Sequence, residues 1–453
     1  METSVFYFKL KKRFEDLERY LKKEYIFLWA KHTKEVSNQW KGWISMTATT
    51  LVSETPVWTA INSVPAQYPW LDQDETCEVA VIGAGITGAL CALRLAQAGV
   101  NTVLLAANAV GYGSTGVSPG LMDYDGAGTL THLSKQVGMD KAVRAFELCS
   151  HALDEMQSLV ESLPEDVGFA RKDSLLYTDN PQIANILRQE YALRLHTGFP
   201  VELVEQPSAR EQYSFPMEAG ILTKGMSAQV DPYRLCHALV NAAQESGARV
   251  YENTCVESIT TEEESVQCLH TCTRHCVRAK KVIMASGHDC AQFTGGLLPV
   301  RKAYAIATKP VDEFAGWPNQ INIREESAQS IYLRTTPDGR LLVGDIPAAS
   351  RLGGLVILPK TADRRYADLE CRLKDMFPGI RGIEVEYRFA GSMAGTTDGL
   401  PIIGGMAQHE EWYFALCPGV GGMLWAEVAS RLLTALYKGE TCEELALFAP
   451  SRK

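Results

Sequence analysis

No apolar run in this sequence approaches the roughly 18 residues that a helix needs to cross a bilayer. Positive charge is in deficit: 44 Lys and Arg stand against 54 Asp and Glu, a net charge of −10. An acidic balance argues against nucleic acid as a partner. The 12 cysteines lack the even, close spacing of a secreted disulfide scaffold, so they read as reduced thiols in a cytoplasmic protein. The N-terminus is too charged for a signal peptide and has no apolar centre with a small-residue cleavage site. What is present is a chain of 453 residues, 46% of them hydrophobic, enough for two or three structural units with ample core.

The most informative stretch runs Glu78-Val-Ala-Val-Ile-Gly-Ala-Gly-Ile-Thr-Gly88. It reads as a buried strand, a glycine turn and the first turn of a helix. Gly83, Gly85 and Gly88 have the G-x-G-x-x-G spacing, which serves a tight turn, close backbone approach to a pyrophosphate, and close helix–strand packing. Phosphates at that helix start would meet free N–H groups and the favourable end of the helix dipole. An apolar-periodic helix from Ala89 to Ala98, a stop at Gly99 and a second strand from Thr102 to Ala106 complete most of a βαβ unit.

Taken in order, residues 1–45 form a separate pattern. Leu10, Phe14, Leu17, Leu21, Tyr25 and Leu28 make one stripe of an amphipathic helix among many lysines and arginines, an extension docked on the domain or solvated. A membrane-surface or protein-docking role for this arm is the alternative. Residues 46–74 are a lead-in with Trp58, Tyr68 and Trp70 as anchors. Beyond the second strand comes Val110-Gly-Tyr-Gly-Ser-Thr-Gly116, a loop tolerant of unusual backbone angles. Helices follow over 129–162 and 185–197, then one opening at Asp231-Pro, and a buried strand Lys281-Val-Ile-Met-Ala-Ser-Gly287. From Pro299 to Glu386, alternating strands around Pro337-Asp-Gly339 predict an antiparallel sheet, interrupted by a helix from Ala362 to Met376. Gly419-Val-Gly-Gly422 then opens a long C-terminal helix, a second glycine loop suited to a cofactor lying along both.

These blocks, with Ala285-Ser-Gly287 and Asp398-Gly-Leu-Pro401, make the chain resemble the FAD-dependent oxidoreductases of the D-amino-acid-oxidase and glycine-oxidase fold over about residues 55–445. Phe169-Ala-Arg-Lys-Asp-Ser and Ala228-Gln-Val-Asp-Pro-Tyr are similar to the gamma-glutamylputrescine oxidase-like amine oxidases. The resemblance implies an α/β fold: a Rossmann-like FAD-binding domain (75–166, 227–296 and 388–445) carrying an inserted α+β, antiparallel-sheet substrate domain (167–226 and 297–387). It implies FAD held noncovalently by Gly83, Gly85, Ile86, Thr87, Gly88, Ser114, Thr115, Val256, Gly287, Gly419, Gly421, Gly422 and Met423. Substrate would lie between flavin and sheet, where Tyr304, Tyr332, Arg334 and His288 are candidates for the chemistry.

Three departures from the family pattern stand out. Ala106 stands where members carry the Glu that holds the ribose hydroxyls, a partner worth about 1.5–3 kcal/mol. Met393 stands where amino-acid-oxidising members carry the Arg that pairs a substrate carboxylate, with Arg334 or Arg301 as possible substitutes. Val117 and Gly391 occupy positions where some members bond His or Cys to the flavin. The run Cys268-Leu-His-Thr-Cys-Thr-Arg-His-Cys276 matches no standard zinc spacing and reads as a solvent-edge hairpin. The function expected is oxidation of a primary or secondary amine or amino-acid derivative. A hydride passes to flavin N5, the imine hydrolyses, and oxygen or another acceptor takes the electrons. A flavin-binding or interaction protein with lost or weak turnover is the second reading.

Overall fold

A computed structural model of the chain describes residues 52–287, 298–327, 329–347, 361–406 and 409–452. The expected helical arm of residues 1–45 and the candidate His288 lie outside the described residues.

The strand Glu75–Ile82 is flanked in parallel by Thr102–Leu105 on one side and Cys276–Met284 on the other. Arg249–Tyr251 and His409–Leu416 extend these flanks in parallel, within an eight-stranded sheet among the described residues. Val79–Ile82 and Thr102–Leu105 are buried along their whole length, as expected where a parallel sheet is covered on both faces. The helix Ile86–Gln97 starts directly from the glycine turn and packs against helices Pro232–Glu245 and Gly422–Tyr437. Pro232–Glu245 begins as anticipated, with proline in its first turn and the Asp231 side chain accepting from the amides of Tyr233 and Arg234.

Ten strands form the other sheet among the described residues. Its hairpin Ile331–Thr335/Leu341–Asp345 turns at Pro337-Asp338-Gly339, where Gly339 has φ +85°. The sheet is not wholly antiparallel, because Asn322–Glu325 runs parallel to Ala170–Thr178. Strand alternation divides its residues between two environments. Ile306, Leu333, Leu341 and Val343 pack on the helix Ala362–Met376 through Leu369 and Leu373. Ala305, Tyr332, Leu342 and Phe389 face Val57, Trp58 and Leu121 on the other side.

The lead-in is part of this architecture. Val52–Ser53 pairs with Gly391 and Ala390, and Trp58 is buried with its indole N–H donating to Ser118 O at 2.8 Å. Tyr68 is also buried, but Trp70 is 62% exposed, so it is not the anchor that composition suggested. Leu121–Asp123, from the stretch assigned to the nucleotide part, joins the ten-stranded sheet as its edge beside Ala219–Gln229.

Candidate active site

One elongated cavity of ≈ 490 Å³ runs from the glycine turn to the ten-stranded sheet. At one end its wall is the Gly83–Thr87 turn, the loop 112–115, Ala106 and Thr254–Val256. From the sheet come Tyr332, Phe389, Gly391 and Met393, and Gly419, Val420, Gly422 and Met423 also line the cavity.

Each glycine of the turn answers a different constraint. Gly83 has φ +108°, and a Cβ there would lie 2.6 Å from Ala285 O. A Cβ on Gly88 would lie 1.7 Å from Gly83 O, so helix and turn touch backbone to backbone. Gly85 has an unstrained φ of −84°, and a Cβ on it would meet only Thr115 Oγ1, at 3.0 Å. Its value is the open space beside the cavity. Gly85, the N-cap residue, has no side chain to cap the helix that follows, and the first amide, Ile86 N–H, donates instead to Thr115 Oγ1 at 3.2 Å. A helix start without a capping side chain at its N-cap, beside a cradle of missing Cβ atoms, suits a pyrophosphate, so the residues present fit the cofactor that the sequence implies.

Most expected cofactor residues converge on this cavity: Gly83, Gly85, Ile86, Thr87, Ser114, Thr115, Val256, Gly287, Gly419, Gly422 and Met423 all line it. Gly88 and Gly421 do not. Gly88 serves the helix–turn contact, and Gly421 turns its back to the cavity, where a Cβ would meet Gly126 Cα at 2.9 Å. Ala106 is buried at the end of its strand and on the wall, with its N–H donating to Tyr251 O. Gly391 abuts Val117 so closely that a Cβ would fall 2.3 Å from Val117 Cγ2.

The candidates for chemistry separate. Tyr332 stays on the cavity side, its ring lying over Gly344, where a Cβ would be 2.3 Å from the phenol oxygen. Tyr304 touches the wall, but its ring turns to the opposite side of the sheet. There it stacks edge-on with Tyr366 at 5.5 Å, under the Arg365 guanidinium at 5.1 Å. Arg334 is a correction. It is fully buried and absent from the wall; its guanidinium donates to the carbonyls of Thr335, Pro119, Gly120 and Val230 and lies 5.2 Å over the Trp58 ring. Those carbonyls occupy Nε and Nη1, Nη2 is buried without a hydrogen-bond partner among the described residues, and its absence from the wall leaves Arg334 no contact with a substrate there. Arg301 is exposed at the start of its strand and also off the wall.

Asp345 is the one charged residue on the described wall. Burial pushes its carboxyl up from the ordinary range, against the opposing hydrogen bond from Tyr304 N–H and the Arg365 ion pair. It shares strand parity with Val343, which places its side chain on the helix-facing side. The Cys268–Cys276 run is the expected hairpin, Gln267–Thr271 against Cys276–Met284, with Cys268 buried and Cys272 exposed. Among the described residues no three metal-ligating side chains gather, and no helix is long and apolar enough to cross a membrane.

A family description, FAD dependent oxidoreductase, matches residues 78–436. The gamma-glutamylputrescine oxidoreductase of Escherichia coli is 23% identical over 382 residues, covering 83% of this chain and 87% of its own. The glycine oxidase of Bacillus subtilis is 25% identical over 377 residues, covering 79% and 92%. The crystal structure of glycine oxidase from Geobacillus kaustophilus superposes with a TM-score of 0.69 at 21% identity, over 84% of this chain and 99% of that one.

Proposed function

The chain belongs to the FAD-dependent oxidoreductases, and on that premise we propose that it oxidises a primary or secondary amine whose reacting carbon bears no free carboxylate. One observation carries the substrate half of this reading. The described cavity wall contains no Lys, Arg or His, and Met393 occupies the sheet position where the resemblance expects an arginine. A carboxylate brought against that wall would be desolvated without a counter-ion, which is costly. The names of the curated relatives, gamma-glutamylputrescine oxidoreductase and glycine oxidase, support an amine as the donor.

FAD, when bound, supplies the acceptor for the hydride that leaves the carbon beside nitrogen, after which water hydrolyses the imine. The chain's own part is binding and exclusion of water. The helix start at Ile86, with Thr115 beside it, and the Gly83–Gly85 cradle would hold the pyrophosphate, and the 419–423 loop would face the flavin. Tyr332, Phe389 and Met393 form a mostly apolar wall that disfavours the ammonium form, since burial lowers an amine's pKa. Held neutral and oriented, the amine presents its C–H bond to the cofactor. Oxygen or another acceptor then receives the electrons.

Anaerobic stopped-flow reduction across a panel of amines and amino acids tests the reading. Amines without an adjacent carboxylate are expected to bleach the yellow protein fastest. Faster bleaching by glycine, sarcosine or D-alanine would overturn the substrate assignment. Bound FAD that no amine reduces would favour a flavin-binding protein without turnover.

A further inference from the structure

Behind the cavity lies a buried ionic cluster whose members come from distant parts of the chain. Asp125 is 2% exposed, and its two oxygens are gripped by two arginines. Arg194, from the helix Pro181–His196, donates Nη1 to Oδ2 at 2.8 Å, and Arg324, from the strand Asn322–Glu325, donates Nη2 to Oδ1. Arg194 also donates to Glu190 Oε1 at 2.6 Å and to the Tyr124 hydroxyl at 3.0 Å. Glu190 in turn accepts the amides of Leu130 and Thr131, each at 2.7 Å. Asp123 receives the Ser227 hydroxyl and lies 3.3 Å from Arg324 Nε. Burial works against ionisation of Asp125, but Arg324 and Arg194 hold its carboxyl below the ordinary range; Asp123 is pushed up by burial. Buried charges are tolerated when paired and hydrogen-bonded like this, and the penalty falls on any change that removes one partner.

The residue after Asp125 explains what the cluster steadies. Gly126 N–H donates to Asp123 O at 3.0 Å, closing a tight turn. A Cβ on Gly126 would lie 2.2 Å from Gly421 Cα and 2.8 Å from Gly421 N. The turn therefore rests directly on the back of the 419–422 loop, whose front lines the cavity.

We infer that Asp125 is a positioning residue: gripped by Arg194 and Arg324, it fixes Gly126 against Gly421 and so sets the seat of the Gly419–Met423 loop. The inference rests on the reading that this loop faces the flavin. It ties the ten-stranded sheet, through Arg324, to the cofactor edge of the cavity by a chain of direct contacts. The loop is thus held from behind by charge, in a place where a side chain in front would obstruct the cofactor.

Two variants test this. Gly126→Ala drives a methyl group into the Gly421 backbone without touching the cavity, and Asp125→Asn keeps the shape while releasing both arginines. Each is expected to speed amide exchange at 419–423 in the apoprotein while exchange in the Glu75–Ile82 strand stays unchanged. In the reconstituted protein Gly126→Ala should raise the FAD dissociation constant about tenfold, as overpacking of a tight contact does, and Asp125→Asn should move the flavin's visible band and midpoint potential. If Asp125→Asn fails to fold, Gly126→Ala alone decides, because it leaves the ion pairs intact. Wild-type exchange at 419–423 in Gly126→Ala, with unaltered FAD affinity and spectrum, would overturn the inference. Wild-type protein that takes up no FAD would instead overturn the cofactor reading, and the apoprotein exchange would still report on the contact.

Discussion

Met393 stands directly opposite Arg301 across the antiparallel strands Val385–Ala394 and Val300–Thr308. Cross-strand partners share a face of the sheet, so a guanidinium-bearing residue lies one strand from the position where the family resemblance expects arginine. Only Met393, however, reaches the cavity wall.

Met393→Arg should therefore place a fork where the wall has none. Relative flavin reduction by carboxylated amines is expected to rise by about ten- to a hundredfold, the range of a charge-assisted hydrogen bond. Anaerobic stopped-flow ratios for matched amines with and without the carboxylate measure it. An unchanged ratio would mean that position 393 does not face the substrate.

At the other end of the cavity, Gly85→Ala brings a methyl group to 3.0 Å from Thr115 Oγ1 and into the space offered to the pyrophosphate. The backbone angle there suits alanine, so the fold should survive while FAD binding weakens by about 1–3 kcal/mol. Flavin fluorescence titration of the apoprotein reads the loss, and a normal melting curve separates it from misfolding.

Ala106→Glu restores an acid on the wall at the end of the Thr102–Leu105 strand. If the ribose lies there, its hydroxyls gain an ionised acceptor, and FAD should bind tighter by about 1.5–3 kcal/mol. Weaker binding would place the ribose elsewhere.

The pair Asp398–Arg452 gives a pH-dependent prediction. Arg452 donates Nε to Oδ2 at 2.7 Å and Nη2 to Oδ1 at 3.0 Å. Partial burial opposes ionisation of Asp398, but the fork outweighs it and holds the carboxyl below its ordinary value. A depressed folded-state pKa adds stability above the unfolded-state pKa and loses it as pH falls through the folded one. Arg452→Met should thus lower stability by about 1 kcal/mol at neutral pH, modest because the pair is partly solvated. The difference from wild type should hold from pH 8 to about pH 5 and shrink below about pH 4, near the free carboxyl value. Urea unfolding of both proteins across that range checks it.

Trp58→Ala removes a fully buried ring that Arg334 overlies and that holds Ser118 O. A cost of about 3–5 kcal/mol is expected for such a cavity, read as a lower denaturant midpoint.

Local geometry was legible because glycine spacing encodes it. The turn at Gly83–Gly88, the proline-first helix at Asp231 and the hairpin at Pro337-Asp-Gly339 all follow from what those residues permit over a few positions. Facing was harder to read. Alternation shows that Tyr304 and Ala305 point to opposite sides of the sheet, but not which side holds the cavity, and so Tyr304 and Tyr332 looked equivalent. Arg334 was misjudged for a related reason. Three of the four carbonyls that engage it belong to Pro119, Gly120 and Val230, more than a hundred residues away, and no pattern around Arg334 announces them. The Asp125 cluster left no trace in the sequence either, since Arg194 and Arg324 lie 69 and 199 positions from it.

The pairing of Glu75–Ile82 with Cys276–Met284, and of that strand with His409–Leu416, has a consequence for synthesis. The first central strand leaves the ribosome some two hundred residues before its neighbour and over three hundred before the next. The hairpins of the ten-stranded sheet join nearby segments and can close as they emerge, whereas pairings this distant are slow. The cavity gains its second glycine loop only after residue 419. Until His409–Leu416 arrives, the Val282–Met284 half of the Cys276–Met284 strand presents an open parallel edge of the kind that recruits other chains, while its Cys276–Ala279 half is already covered by Gln267–Thr271.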